Sequence, residues 1–251
     1  MRVRSLQARV TEAIGRAILR GEVAEGAALP VEASLAAAHG VSRAVVREAM
    51  KVLAAKGMVS IRPSTGTRVL PRRQWQLLDP EVLDWLGAGV AGAEIAPDFI
   101  PEMLEIRRMF EPEAARLAAE RATPADLSAM RLALGRMGTA LAQGGDYVSA
   151  DIAFHAALLE AAHNRFLNQL GGAMARLLRF STNLSWRFPD AAHGSMPVHR
   201  AVMEAVASGD AEGAAAQVLH LIERHERHLR GVFGEMTQTA HSSAGGEGEK
   251  P

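Results

Sequence analysis

The sequence predicts a mainly α-helical protein of two parts, and three observations support that fold class. Apolar residues recur at helical spacing along most of the 251 residues. Alternating patterns typical of strands are confined to one short stretch, around residues 58–70. The first 73 residues hold 13 of the 28 Lys and Arg but only 5 of the 28 Asp and Glu. This asymmetry indicates a polyanionic partner for the N-terminal part.

The composition excludes several classes of protein. A hydrophobic fraction of 48% allows a sizeable core, and the length suits one large or two ordinary domains. No run of 18 apolar residues occurs, so we expect no membrane span. The N-terminus lacks the apolar core of a secretory signal, and the absence of cysteine excludes a disulfide framework. We therefore expect a cytoplasmic protein.

Two helices and a tight turn are predicted first. Apolar residues at helical spacing run from Val10 to Ile18, and Gly21 stops the pattern. A short alanine-rich helix is predicted at residues 31–38. Gly40 follows it and suits the left-handed conformation that ends a helix. The chain can therefore turn sharply before the next helix.

A third helix is predicted between Ser42, which suits the N-cap position, and Gly57. One of its faces is apolar. Another carries Arg43, Arg47 and Lys51 at intervals of four residues. Two short helices joined by a tight turn, the second with an exposed basic row, are typical of a helix-turn-helix.

A hairpin is predicted directly after the third helix. The stretches MVSI (58–61) and TRVL (67–70) have strand patterns, and RPSTG between them supplies turn residues at Pro63 and Gly66. The N-terminal part is therefore predicted to be a winged helix-turn-helix that binds DNA. The alternative is a basic face that merely contacts water. The agreement of turn, cap, basic row and hairpin in order and spacing favours DNA binding.

The stretch AILRGEVAEGAALP…VSRAVVREAMKVLAAKGMVSIRPSTGTRV resembles the DNA-binding domain of GntR-type bacterial transcription regulators. The resemblance implies that Arg43 and Arg47 contact operator bases and phosphates. It also implies that the glycine-tipped wing enters the minor groove. The expected DNA-contacting residues are Ser42, Arg43, Arg47, Lys51, Thr65 and Gly66.

The C-terminal part is predicted to be an all-helical bundle. Helices are expected at 80–89, 99–121, 124–143, 146–162, 165–187, 196–208 and 211–234. The expected organisation is a winged helix-turn-helix (1–71), a connector and linker helix (72–98), a helical metal- and ligand-binding domain (99–236) and a disordered tail (237–251).

The helical part resembles the effector-binding (FCD) domain of the FadR-like subgroup of the same regulators. The resemblance lies in FIPEMLEIRRMFEPEAARLAAERA and MPVHRAVMEAVASGDAEGAA. The connector QWQLLDPEVLDWL is similar to the branch that responds to sugar acids such as galactonate, hexonates and hexuronates. The resemblance implies a homodimeric repressor that binds a palindromic operator and is released by a carboxylate effector.

A metal site is predicted within the helical part. Asp151 and His155 lie four residues apart, so both face one side of a helix and can hold one ion. The resemblance implies His199 as a third ligand. His220, a candidate fourth ligand, follows His199 by 21 residues, whereas the subgroup suggests 22, which is Leu221. Either a shift of a helix boundary compensates for this difference of one residue, or the site has three protein ligands. The ligands suit zinc, nickel or manganese.

An anionic effector also needs cations beside the metal. Arg107, in the stretch EIRRM, matches an arginine that faces the pocket in the subgroup, so we expect it to bind the effector. Most of the remaining histidines are expected to be hydrogen-bonded or on the surface: His163, His193, His225, His228 and His241.

Three classes of function remain to be weighed. A site with three protein ligands and open positions also occurs in metal-dependent enzymes. However, the sequence contains no HExxH motif, nucleophile elbow or phosphate-binding loop. An architectural DNA-binding protein would have little reason to bury a polar cluster. We therefore expect a ligand-responsive regulator and no enzyme activity, with lactate or a fatty acid as alternative effectors.

Overall fold

The computed structural model describes residues 5–63, 65–89, 99–185 and 189–244. The chain divides into two compact units, Met1–Ile95 and Ala96–Pro251. The mainly α-helical fold class is confirmed. No helix among the described residues is long and apolar enough to cross a membrane.

The first unit begins with three helices, namely α1 (Leu6–Leu19), α2 (Glu32–His39) and α3 (Arg43–Ala55). Gly40 ends α2 in the left-handed conformation, with φ at 63°. Ser42 then caps α3, because its side chain accepts a hydrogen bond from the backbone N–H of Val45. Both predicted boundary residues are confirmed, and together they turn the chain between the two helices.

A two-stranded antiparallel sheet follows α3 and forms the predicted wing. It comprises β1 (Val59–Arg62) and β2 (Gly66–Val69), paired from Val59 with Val69 to Arg62 with Gly66. Gly66 has a φ of 72°, a conformation that favours glycine at the turn. The buried core of this unit contains Val10, Ile14, Ile18, Val46, Ala49, Met50, Leu53, Met58, Val59, Val69, Trp75, Val82 and Trp85.

The described part of the connector packs on the winged helix. It contains a short 3₁₀ turn (Arg72–Gln74) and helix α4 (Pro80–Gly89). Trp75 donates a 2.8 Å hydrogen bond from its indole N–H to the carbonyl of Leu70. Trp85 lies against Gly15, where a Cβ would be only 2.5 Å from the indole Cζ3. These contacts place the described connector within the first unit.

Lys56, the residue after α3, links α3 to the connector. Its ammonium group is 2.7 Å from Asp79 Oδ1 and 2.8 Å from Glu81 Oε2, and its side chain is only 8% exposed. Asp79 also accepts hydrogen bonds from the backbone N–H groups of Glu81 and Val82. The ion pair therefore fixes the start of α4 against the end of α3.

The second unit contains only helices among its described residues. They are α5 (Phe99–Arg121), α6 (Pro124–Gln143), α7 (Tyr147–Ala161), α8 (Arg165–Ser185), α9 (Pro189–Ser208) and α10 (Ala211–Ala244). Helix α5 packs on α10, and α7 packs on α5, α6 and α8. Of the 15 residues of α7, 11 are buried, so α7 is the central helix of the bundle.

Two helices extend beyond their predicted limits. Helix α9 begins at Pro189 instead of residue 196, because proline is well suited to the first turn of a helix. Helix α10 continues to Ala244, eight residues into the segment predicted as a disordered tail. No glycine or proline interrupts residues 235–244, so their backbone can remain helical. The rest of that segment and residues 90–98 of the connector lie outside the described residues.

Candidate functional site

The recognition helix α3 presents its basic row to solvent. Arg43, Arg47 and Lys51 are all exposed. The guanidinium of Arg47 binds both carboxylate oxygens of Glu32 on α2, with distances of 3.2 and 2.9 Å. Lys51 pairs with Glu48 on its own helix at 2.8 Å. Exposed pairs of this kind contribute little to stability, so these cations can be transferred to a phosphate or a base at little cost.

The other three predicted DNA-contacting residues are also exposed. Ser42 lies at the N-cap of α3, and Thr65 and Gly66 lie at the tip of the wing. A helix N-terminus and a hairpin tip both present backbone N–H groups that can bind phosphate. All six residues therefore belong to one winged-helix unit and are accessible to DNA.

A buried polar cluster lies in the second unit. Asp151 and His155 face the same side of α7, and His199 reaches them from α9. The three residues are only 6%, 5% and 3% exposed, respectively. Each offers one ligand atom, and these atoms lie within 4.8 Å of one another. The structure therefore brings together three of the four predicted metal ligands.

The hydrogen bonds of His199 favour a cation in this cluster. Its Nδ1 is 2.9 Å from the carbonyl oxygen of Ser195, to which it donates. Its Nε2 is 3.0 Å from Oδ1 of Asp151. Without a proton on Nε2, two acceptors would face each other in a buried environment, which is costly. A proton or a metal ion between the two atoms removes this conflict.

Burial and the neighbouring groups together lower the pKa of both Asp151 and His155. Burial tends to raise the pKa of Asp151, but the hydrogen bond with His199 and the charges of His155 and His199 outweigh it, so the pKa falls below its usual value. Burial lowers the pKa of His155, although Asp151 and Glu111 oppose this effect. A carboxylate and neutral imidazoles are the forms that bind metal.

The geometry fits a divalent metal ion. Bonds of about 2.0–2.2 Å place the ligand atoms of one ion about 3.0–3.5 Å apart. Asp151 Oδ1 is 3.0 Å from His199 Nε2 and 4.0 Å from His155 Nε2, so small side-chain movements suffice. Asp151, His155 and His199 would hold the ion and leave further coordination positions open.

Arg107 lies near this cluster, on α5. Its guanidinium forms a buried ion pair with Glu111, with Nε 2.6 Å from Oε1 and Nη2 3.3 Å from Oε2. Glu111 Oε2 is in turn 3.8 Å from Nδ1 of His155. The remaining Nη1 of Arg107 is buried and has no hydrogen-bond partner among the described residues. A buried, charged donor is therefore available next to the cluster.

The structure does not bring His220 to the cluster. His220 lies on the exposed side of α10, which contradicts its prediction as a metal ligand. The histidine of α10 whose charge interacts with Asp151 and His155 is instead His225, whose Nε2 is buried. Five residues separate the two, a rotation of about 140° around the helix. His225 lies on the same face of α10 as the buried Val218 and Leu229, and this periodicity is the sequence signal that could have identified it.

His225 is affected by the charges of this cluster. Burial, followed by the charge of Arg107, lowers its pKa to about 3, while the charge of Asp151 acts in the opposite direction. His225 was expected to be hydrogen-bonded or on the surface. The structure places it instead beside the buried polar groups of α5 and α7.

Two family models match the chain. "Bacterial regulatory proteins, gntR family" matches residues 6–69 and "FCD domain" matches residues 102–224. These matches confirm the resemblance of both parts, and they cover the winged helix and most of the bundle, respectively.

Known proteins similar to the chain include curated relatives and a solved structure. The galactonate operon transcriptional repressor of Escherichia coli K12 is 33% identical over 228 residues, 89% of this chain and 96% of the relative. The putative L-lactate dehydrogenase operon regulatory protein of the same organism is 32% identical over 225 residues, 87% and 84% of the two chains. The solved structure of Lar, which controls expression of the Listeria monocytogenes agr system, matches with a TM-score of 0.63 and 19% identity over 92% of this chain and 99% of its own.

The matched family and these curated relatives consist of transcription regulators, not enzymes. The chain therefore belongs to the GntR family of bacterial regulatory proteins, and it is a ligand-responsive, DNA-binding transcription regulator with an FCD domain.

Proposed function

We propose that this regulator is a cytoplasmic repressor of sugar-acid catabolism genes. It binds a palindromic operator as a homodimer and leaves it when a sugar-acid carboxylate binds at a divalent metal ion in the second unit. The observation that carries the proposal is the buried group of Asp151, His155 and His199. A closed structural site would use a full set of protein ligands, whereas three ligands leave room for an exogenous oxygen.

Operator binding is assigned to the exposed residues of α3 and the wing. Arg43 and Arg47 are suited to bidentate contacts with guanine, and Lys51 to a phosphate. Arg47 would exchange its exposed pair with Glu32 for these DNA contacts. Ser42, Thr65 and Gly66 contribute contacts to the DNA backbone or the minor groove.

Effector binding is assigned to the buried cluster and to Arg107. Zinc, nickel or manganese would supply open coordination positions for a carboxylate oxygen. Arg107 adds a cationic donor through its unpaired Nη1. The name of the galactonate operon repressor supports a sugar acid as the effector. The name of the lactate operon relative favours a short hydroxy acid as the second candidate.

The coupling between the two sites is tested by calorimetry and by gel-shift titration. The protein is titrated with hexonates, hexuronates and short hydroxy acids, with and without operator DNA. An effector can change operator binding only by the difference between its affinities for the DNA-bound and the DNA-free regulator. A coupling of about 1–3 kcal/mol changes operator affinity by about 5–150-fold. If no carboxylate binds, the assignment of the effector is wrong, although DNA binding would remain.

Variants locate the effector site. Asp151→Ala should weaken effector binding and leave effector-free operator binding nearly unchanged. Arg107→Lys is preferable to Arg107→Ala, because alanine would leave Glu111 buried without its cation. Lysine keeps the charge but loses the guanidinium fork, so it should also weaken effector binding. Normal effector binding by both variants would place the pocket elsewhere.

A further inference from the structure

Two residues whose charges interact with the metal-binding group each have a buried polar atom without a hydrogen-bond partner among the described residues. These atoms are Nη1 of Arg107 on α5 and Nε2 of His225 on α10. Helices α5 and α10 pack against each other. The charges of Arg107, Asp151 and His155 each shift the pKa of His225. A buried polar atom that lacks a hydrogen-bond partner destabilises the protein, and more so when the group is charged.

His225 does not belong to the metal-binding group itself. The ligand atoms of Asp151, His155 and His199 lie within 4.8 Å of one another, and no atom of His225 joins that group. The residue one helical turn before it, Leu221, is buried and offers only carbon atoms. Helix α10 therefore places an apolar residue at one turn and an imidazole at the next.

We propose that His225 and Arg107 form a second polar anchor, which binds the hydroxyl-bearing end of the acid whose carboxylate is held at Asp151, His155 and His199. The inference rests on the proposed function and adds His225 as the residue that recognises the hydroxyl groups of the ligand. Arg107 donates, and the imidazole of His225 donates or accepts according to its tautomer. An acid with polar groups at both ends satisfies both anchors, whereas a simple carboxylic acid leaves His225 and Arg107 unpaired. The site therefore selects polyhydroxy acids.

The test compares His225→Leu with His220→Leu, a matched change on the exposed side of the same helix. Metal affinity is measured first by chelator competition without any acid, and both variants should match the wild type. Galactonate and propionate are then titrated by calorimetry. We expect His225→Leu to weaken galactonate binding by about 5–150-fold, the effect of losing one buried hydrogen bond. Its propionate binding should be unchanged, and His220→Leu should behave as the wild type.

Each of the other possible results would overturn the inference, and these results can be told apart. If His225→Leu loses metal affinity, His225 is a metal ligand. If it binds galactonate like the wild type, His225 does not contact the ligand, and the proposed function survives. If the wild type binds no hexonate, hexuronate or hydroxy acid, the proposed effector class fails together with the inference. If His225→Leu does not fold, His225→Gln replaces it in the test. Glutamine keeps a polar side chain, so this variant should retain part of the galactonate affinity.

Discussion

Both units of this regulator carry clusters of basic side chains, but the clusters lie in opposite environments. In the first unit, Arg43, Arg47 and Lys51 are exposed on α3. In the second unit, Arg107 and His155 are buried among carboxylates. An exposed cation is stabilised by water and remains available to a partner. A buried cation must be matched by internal groups, and unmatched atoms then point to a ligand.

The same contrast occurs within a few residues at the end of the recognition helix. The side chain of Lys51 is 59% exposed, whereas that of Lys56 is 8% exposed and is held by two carboxylates. Residues of one type therefore have different roles. Lys51 is available to DNA, and Lys56 stabilises the fold.

Loss of metal should be the largest effect. Purified protein is expected to carry about one transition-metal ion per chain, and the variant His155→Ala/His199→Ala almost none, because two of three ligands are removed. Elemental analysis after purification without chelators or a metal-affinity step measures this. His220→Ala is the control and should keep its metal. A wild type that contains no metal, and takes up neither zinc, nickel nor manganese, would contradict the site.

Lys56→Met should lower the free energy of unfolding by about 2–4 kcal/mol, because it leaves the partly buried Asp79 without its cation. Denaturant unfolding measures the change. Lys51→Met is the control and should change stability by less than about 0.5 kcal/mol. Equal effects of the two substitutions would refute the contrast between them.

The effect of Lys56→Met should depend on pH. Burial raises the pKa of Asp79, but its hydrogen bonds with Lys56 and the backbone of Val82 lower it more, so the pKa lies below the ordinary value of 3.8. The stabilisation by this pair is therefore present above about pH 4 and is lost as the pH falls through the lowered pKa. The stability difference between the wild type and Lys56→Met should shrink in acid.

Arg47→Ala should have a smaller effect, on DNA binding alone. We expect it to weaken operator binding by about 1–3 kcal/mol if Arg47 makes a bidentate base contact. Stability should change little, because its pair with Glu32 is exposed. A gel-shift titration measures the affinity, and circular dichroism controls for folding. Unchanged affinity at several salt concentrations would remove Arg47 from the interface.

The first unit was predictable from sequence because its determinants are local. Gly40 and Ser42 set the boundary between α2 and α3, and strand alternation marked the wing. The pair of Asp151 and His155 was equally local, since it depends only on helical spacing. Which residue of α10 faces Asp151 and His155 depends on how that helix is rotated in the bundle. A count of residues from His199 does not contain this rotation; it gave position 221, a leucine, so only the neighbouring His220 remained as a candidate.

The packing of Trp85 on Gly15 has a consequence for genetics. Any side chain at position 15 would collide with the indole ring, and a small residue at position 85 would leave a cavity in the core of the winged helix. In a reporter screen, such mutants would lose operator control and would resemble mutants of the recognition helix. Their phenotype would arise from a shortage of folded protein, so abundance must be measured before a position outside the DNA interface is assigned to signalling.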